Sequence, residues 1–284
     1  MPPLVLALIS ILLWSTVAWL SLKLAHLPPF LLVGICLLIG AMCGATRLRD
    51  WRAANLHLMA LGVYGLFGFH FFLFTALRHA PPIEANLINY LWPLLIVVLS
   101  PLIVPGTPLT ARHITAALIG FGGAALLATG GTFRIETAHL FGYGCALASA
   151  VIWSTYSLLT KRVPPFPTGT VGAFCAVSGV LALACHWVWE PAAQIADSDW
   201  FWMAMIGIGP LGVAFFTWDA AMKRGDPRVI GTLSYLTPLL STLWLAIAGA
   251  GTLGPLALAA MVAIIGGAVW GTAPGRRADA RDGA

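Results

Sequence analysis

The chain has 284 residues, 60% of them apolar and only 9% charged, with a formal net charge of +5 and a mean hydropathy of +0.90. Soluble domains carry about 25% charged residues, so this composition excludes a soluble enzyme and points to an all-α integral membrane protein. The basic excess gives no reason to invoke nucleic acid, because membrane orientation accounts for it.

Charged or Pro/Gly clusters divide the chain into ten apolar stretches, each near the roughly 20 residues that span a bilayer. They lie near 4 to 22, 29 to 46, 55 to 77, 83 to 104, 113 to 130, 140 to 160, 168 to 189, 200 to 222, 229 to 249 and 254 to 272. The first has no basic leading region and no small-x-small exit before Lys23, so it reads as a helix and not as a cleaved signal. It carries Trp14, Ser15 and Thr16 near its middle. The second holds Gly40-x-x-x-Gly44, which suits tight helix contact within one chain or a dimer face. The third contains His70, expected to be neutral and hydrogen-bonded, and is followed at the outer turn by His79, a candidate to line an exit. In the fourth stand Asn86, Asn89, Tyr90, Trp92 and Pro93. The fifth and tenth are glycine-rich, with Gly122-Gly123-Ala124 and Gly266-Gly267-Ala268, and read as scaffold. The sixth brings Trp153, Ser154, Thr155 and Tyr156. Near the end of the eighth stands Asp219, with Lys223 just beyond it, spaced i, i+4 as a helical ion pair would be. Thr232, Ser234, Tyr235, Thr237 and Pro238 mark the ninth. The five cysteines all fall inside apolar stretches and read as small hydrophobes, with no disulfide framework expected.

The chain repeats itself. Residues 71 to 95, FFLFTALRHAPPIEANLINYLWPLL, return about 145 positions later, at 216 to 240, as FTWDAAMKRGDPRVIGTLSYLTPLL. Trp14-Ser15-Thr16 likewise returns as Trp153-Ser154-Thr155. Five spans per copy is an odd number, so the second copy enters the membrane in the opposite sense. The expectation is two inverted five-helix repeats, at 1–137 and 138–273, followed by a cytoplasmic tail at 274–284. With both termini in the cytoplasm, twelve basic residues lie inside: Arg47, Arg49, Arg52, Arg112, Lys161, Arg162, Lys223, Arg224, Arg228, Arg276, Arg277 and Arg281. Only Lys23, Arg78 and Arg134 remain outside. Cytoplasmic loops collect Lys and Arg, which fixes this orientation.

Both repeats place a proline in the middle of a span. Pro93 and Pro238 each lack an N–H and clash with the carbonyl four residues earlier, so acceptors at Asn89 and Ser234 are expected to be released. Bare carbonyls in hydrocarbon cost several kcal/mol unless they face protein or a wet cavity. Two such kinks, each beside a tyrosine, suit a site between the repeats; plain packing kinks are the structural alternative. The same choice holds for Trp14 and Trp153, which either wall a cavity or only pack. No Lys or Arg lies at mid-depth, so the solute is expected to be neutral or zwitterionic. Freed carbonyls and aromatic faces would hold its ammonium. No acid recurs at mid-depth in both halves, so no ion-coupling site is visible. An intramembrane enzyme would need a paired acid or a Ser/His couple at depth, and His70 has no such partner.

Ten spans, the inverted repeat, the early Trp-Ser and the Asn-x-x-Asn-Tyr-x-x-Pro helix (residues 86 to 93) after a tight proline turn resemble the EamA-type branch of the drug/metabolite transporter superfamily. Within that branch the chain looks most like the aromatic amino acid exporters. The resemblance implies a multi-pass transporter of the bacterial inner membrane, with no cofactor or metal, moving amino acids out by alternating access. Its central cavity would be lined by spans one, three, four, six, eight and nine. Carried over on the repeat motif, Trp14, Asn86, Asn89, Tyr90, Trp92, Trp153, Tyr156, Ser234 and Tyr235 are implied to bind solute. Pro93, Pro238 and His79 stand as candidate hinge or gate residues. The alternative cargo on the same fold is another small metabolite or drug, such as a purine or a lipophilic compound. The choice between monomer and homodimer stays open.

Overall fold

A bilayer offers no water to backbone N–H and C=O groups, so a spanning chain must satisfy them within helices or a closed barrel. The computed structural model takes the helical solution. It describes residues 1–249 and 253–272, and no strand occurs among them. The segment expected as a tail, 274–284, lies outside the described residues.

Eight helices are long and apolar enough to cross a membrane: Pro3–Leu22 (α1), Leu56–His79 (α3), Pro82–Ile103 (α4), Ala111–Thr129 (α5), Thr168–Trp189 (α7), Asp197–Arg224 (α8), Pro227–Ile247 (α9) and Pro255–Thr272 (α10). Another stretch expected to span is the helix Pro29–Met42 (α2), which continues into Ala45–Trp51 through a 52° bend. The stretch at 140 to 160 is the 20-residue helix Leu140–Leu159 (α6), whose run of Trp153, Ser154, Thr155, Tyr156 and Ser157 lowers its apolarity. Those same residues make it one of the most enclosed helices, with Trp153, Ser154, Tyr156 and Ser157 all buried. Prolines open α1, α2, α4, α9 and α10. There proline gives up only an N–H that would have no partner in the helix.

Besides the break of α1 at Thr16 and the bend of α2 after Met42, four helices are interrupted in two matched pairs. α3 contains a π turn at Tyr64–Gly68, and α8 contains one at Gly209–Val213, the matching place in the second copy. α4 breaks at Tyr90, between Pro82–Asn89 and Leu91–Ile103. α9 breaks at Ser234 and Tyr235, between Pro227–Leu233 and Leu236–Ile247. The kinks therefore fall where the two prolines were expected to put them. π turns are frequent at functional sites because they free carbonyls and re-aim side chains.

Glycines set the closest approaches. A Cβ on Gly40 would lie 2.3 Å from the Leu211 carbonyl oxygen, and one on Gly44 would lie 3.1 Å from the Phe216 ring. The Gly40-x-x-x-Gly44 face is thus used inside the chain, against the π turn of α8. Gly123 lies against the Ala260 carbonyl and Gly267 against that of Ala116, which seats α5 on α10 as expected of a scaffold pair. Gly207, Gly209 and Gly212 have the outline of a dinucleotide-binding motif, but they sit within an apolar helix with no strand before them. Gly207 and Gly212 serve close contact with α2 instead.

Loop contacts sort into two ends of the bundle. At one end Thr170 donates to the Asp50 carbonyl, Lys161 donates to the carbonyls of Met222, Lys223 and Gly225, and Arg162 donates to that of Ile103. At the other end His26 meets Asp199, Arg78 meets Glu190 and His139 bonds the His79 carbonyl.

Candidate functional site

A cluster of aromatic rings occupies the crossing of α1, α3, α4, α6 and α8. The Trp14 ring lies 5.5 Å from Trp153, 6.3 Å from Trp92, 5.0 Å from Trp218 and 6.1 Å from Phe215. Trp153 in turn meets Tyr156 at 5.5 Å and Phe69 at 5.4 Å. Trp92, Trp153, Tyr156, Phe215 and Trp218 are buried, while Trp14 and Phe69 are half-buried. Mostly edge-on and tilted pairs at such distances are the favoured geometry for rings.

Backbone breaks place two of these rings. The π turn of α8 frees the Pro210 carbonyl, which accepts a hydrogen bond from the Trp14 indole N–H at 3.0 Å. The π turn of α3 brings Gly65 so close to α6 that a Cβ there would lie 2.2 Å from the Tyr156 ring. Trp218 is fixed by donating to the Ser157 hydroxyl at 3.0 Å.

The sequence-derived candidates fall into separate places. Trp14, Trp92, Trp153 and Tyr156 meet in the aromatic cluster. Asn86 and Tyr90 are half-buried, and among the described residues neither side chain has a hydrogen-bond partner. Asn89 is buried and its side-chain oxygen accepts from Ser149 at 2.8 Å, which ties α4 to α6. Ser234 donates to the Ile230 carbonyl of its own helix at 2.8 Å. Tyr235 is fully enclosed in a different apolar cluster, beside Val97, Ala117 and Ile264. Its hydroxyl donates to the Tyr90 carbonyl at 3.3 Å and accepts from the Leu94 N–H at 3.1 Å. It thereby occupies the gap left by the helical bond between those two groups.

Pro93 and Pro238 are both buried. A Cβ on Gly231 would lie 2.9 Å from the Pro93 carbonyl, so the two broken helices cross at that point. His79 is exposed at one end of the bundle and packs edge-on against Phe141 at 5.0 Å. His70 is buried in α3 and donates to the Leu66 carbonyl at 2.7 Å, the hydrogen bond expected of it. The expected helical ion pair is present, with Lys223 Nζ 2.7 Å from Asp219 Oδ2. Ser15, Thr16, Ser154 and Thr155 all bond carbonyls of their own helices. That leaves the aromatic faces as the distinctive chemistry of α1 and α6.

Sequence reasoning missed Trp218, Phe215 and Phe69. The repeat gave no hint of them, since Trp218 pairs with Leu73 and Phe215, just before the duplicated segment that begins at 216, pairs with His70. A ring's facing depends on the π turns, and nothing in the residue pattern announces those.

A multi-pass bundle with paired helix breaks around a buried polar-poor centre defines a membrane transporter. The chain belongs to the EamA-like transporter family, of the drug/metabolite transporter superfamily, which matches it twice, over residues 1–129 and 140–272. It is 43% identical over 280 residues to the aromatic amino acid exporter YddG of Ancylobacter novellus, covering 94% of this chain and 96% of that one. It is 27% identical over 179 residues to the exporter of the same name from Salmonella typhimurium, covering 60% of this chain and 59% of that one. A crystal structure 41% identical in sequence has a TM-score of 0.90, covering 94% of this chain and 95% of the other.

Proposed function

We propose that this transporter exports neutral amino acids, aromatic ones among them, from the cytoplasm by alternating access. The observation that carries the reading is the aromatic cluster, in which Trp14 and Trp153 lie 5.5 Å apart at equivalent places in the two copies. It has no lysine or arginine among its rings. Flat faces favour aromatic side chains and an ammonium, and the lack of fixed charge disfavours phosphorylated cargo. The exporter names of the relatives support the same cargo.

In this reading Trp14, Trp92, Trp153 and Tyr156 wall the solute, with Asn86 and Tyr90 offering free polar groups to it. Asn89, Ser234 and Tyr235 act on the helices that frame it. The ten helical stretches act as ten spans in two inverted repeats, at 1–137 and 138–273, of the bacterial inner membrane. Both termini face the cytoplasm. Pro93 and Pro238 lie in the helices that rock, and His79 lines the outer exit.

Proteoliposomes containing the purified protein test the cargo, with labelled tryptophan, phenylalanine, threonine and methionine and with or without a pH gradient. Saturable uptake with mutual competition is the expected result. Absence of uptake for all four, by folded protein, would replace amino acids with purines or lipophilic compounds.

A further inference from the structure

The two mouths of the bundle share a device that the long duplicated segment does not contain in full. Pro28-Pro29-Phe30 leads into α2, and Pro164-Pro165-Phe166 leads into α7, the equivalent helix of the second copy. The basic residues near the ends of α3 and α8, Arg78 and Lys223, are also repeat partners. Each basic residue sits over the phenylalanine of its own copy. Arg78 lies 5.3 Å from the Phe30 ring centre, and Lys223 Nζ lies 3.3 Å from that of Phe166. Both rings are buried, at 2% and 8% exposure.

Each basic residue also holds a carboxylate that has been taken out of water. At one mouth Arg78 pairs with Glu190, whose side chain is 1% exposed. Glu190 accepts in addition from the Phe30 and Leu31 N–H groups that begin α2 and meets His186 at 3.0 Å. At the other mouth Lys223 pairs with Asp219, whose side chain is 2% exposed. Asp219 also accepts from Thr168 Oγ1 at 2.8 Å, and Lys223 donates to the Phe166 carbonyl at 3.0 Å. The same four parts therefore recur: a Pro-Pro-Phe entry, a cation at the end of the following helix, a buried acid, and the backbone or hydroxyl at the start of α2 or α7. Burying a charge is costly unless it is paired, so loss of the cation leaves an acid that must reach water. The acids differ in origin, since Glu190 comes from the end of α7 in the other copy and Asp219 from α8 itself. The shared geometry is thus more than an inherited sequence match.

We infer that Arg78–Phe30 and Lys223–Phe166 are a matched pair of latches, one at each mouth, released on opposite halves of the transport cycle. The inference rests on the alternating-access reading above but not on the identity of the cargo. Arg78, Lys223, Phe30 and Phe166 are positioning residues in this scheme and do not touch solute.

Spin-label distances across each mouth test it in protein reconstituted in lipid. Labels on Ala25→Cys and Ile83→Cys report the Glu190 mouth, and labels on Pro167→Cys and Arg224→Cys report the Asp219 mouth; all four positions are exposed. Cys43, the one half-buried native thiol, is replaced by serine while the four buried thiols stay. Lys223→Met should lengthen the 167–224 distance by on the order of 5 Å, about one helical turn, and leave 25–83 in place. Arg78→Met should do the reverse. Lys223→Arg and Arg78→Lys should restore the parent distances. Phe166→Leu, which keeps the burial and removes the ring, should act as Lys223→Met does and serves if the methionine variant fails to fold. Unchanged distances in folded variants, or both mouths moving together, would overturn the inference. Failure of amino acid uptake alone would change the cargo and leave these distances as expected.

Discussion

The Tyr235 side chain is fully enclosed and its hydroxyl is inserted between the Tyr90 carbonyl and the Leu94 N–H, whereas the Tyr90 hydroxyl has no partner among the described residues. The neighbours of the two tyrosines explain the difference. A Cβ on Gly120 would lie 2.5 Å from the Tyr235 ring, so glycine there makes the slot for that ring. The repeat that matches Gly122-Gly123-Ala124 to Gly266-Gly267-Ala268 matches Gly120 to Ile264, which carries a branched side chain where Gly120 has none. Tyr235 thus pins the kink of α4, and Tyr90 keeps the free hydroxyl that the proposed function assigns to solute. Tyr235→Phe would strand one carbonyl and one N–H, at about 1–3 kcal/mol for each unsatisfied group. A clear fall in thermal stability with solute affinity nearly unchanged is the expected outcome. Tyr90→Phe should show the opposite pattern, with weaker uptake and parent stability. Equal stability of the two variants would mean that the inserted hydroxyl holds nothing. The repeat motif singled out both tyrosines alike, but which of them is structural depended on Gly120, on another helix and 115 positions before the Tyr235 it accommodates.

At the level of elements, the interruptions were legible only where local chemistry causes them. Proline forbids its own helical bond whatever surrounds it, so the breaks of α4 and α9 could be placed from Pro93 and Pro238. The π turns at Tyr64–Gly68 and Gly209–Val213 arise from packing, and the apolar pattern runs through them without a mark. Their glycines are the trace they leave. A methyl group on Gly40 would strike the Leu211 carbonyl in the π turn, whereas one on Gly122 would meet nothing within 4 Å. Gly40→Ala is therefore expected to destabilise the bundle by about 1–3 kcal/mol, the usual cost of overpacking. Gly122→Ala is expected to be neutral or to stabilise by up to about 1 kcal/mol through helix propensity. Chemical unfolding of the two variants in the same detergent checks the order. If Gly40→Ala instead changed only an oligomer equilibrium, the glycine face would belong to a second copy and not to α8.

For the whole molecule, the contacts that tie loops together decide which charges share a side. The Asp50 carbonyl, in a segment that also carries Arg47, Arg49 and Arg52, accepts from Thr170, Lys161 meets the end of α8, Arg162 meets the end of α4, and Arg228 reaches the Pro108 carbonyl. The basic loops at 47–52, 161–162, 223–224 and 228 therefore gather at one end, although they are scattered along the chain. Arg78 lies at the other end, against Glu190. A potential that retains Lys and Arg on the cytoplasmic side acts on such an asymmetry as a unit. The outcome expected is a basic end in the cytoplasm and the 190–196 loop in the periplasm. In intact cells a membrane-impermeant thiol reagent should label Gln194→Cys, an exposed position, and should reach Arg49→Cys only after the membrane is opened. A reporter fused after Ala284 should read cytoplasmic. Labelling of Arg49→Cys in sealed cells together with protection of Gln194→Cys would invert the molecule, and export by this chain would then have to be rewritten as uptake. Adding two lysines to the 190–196 loop should leave both labels where they were, because the basic end already outweighs the other by a wide margin.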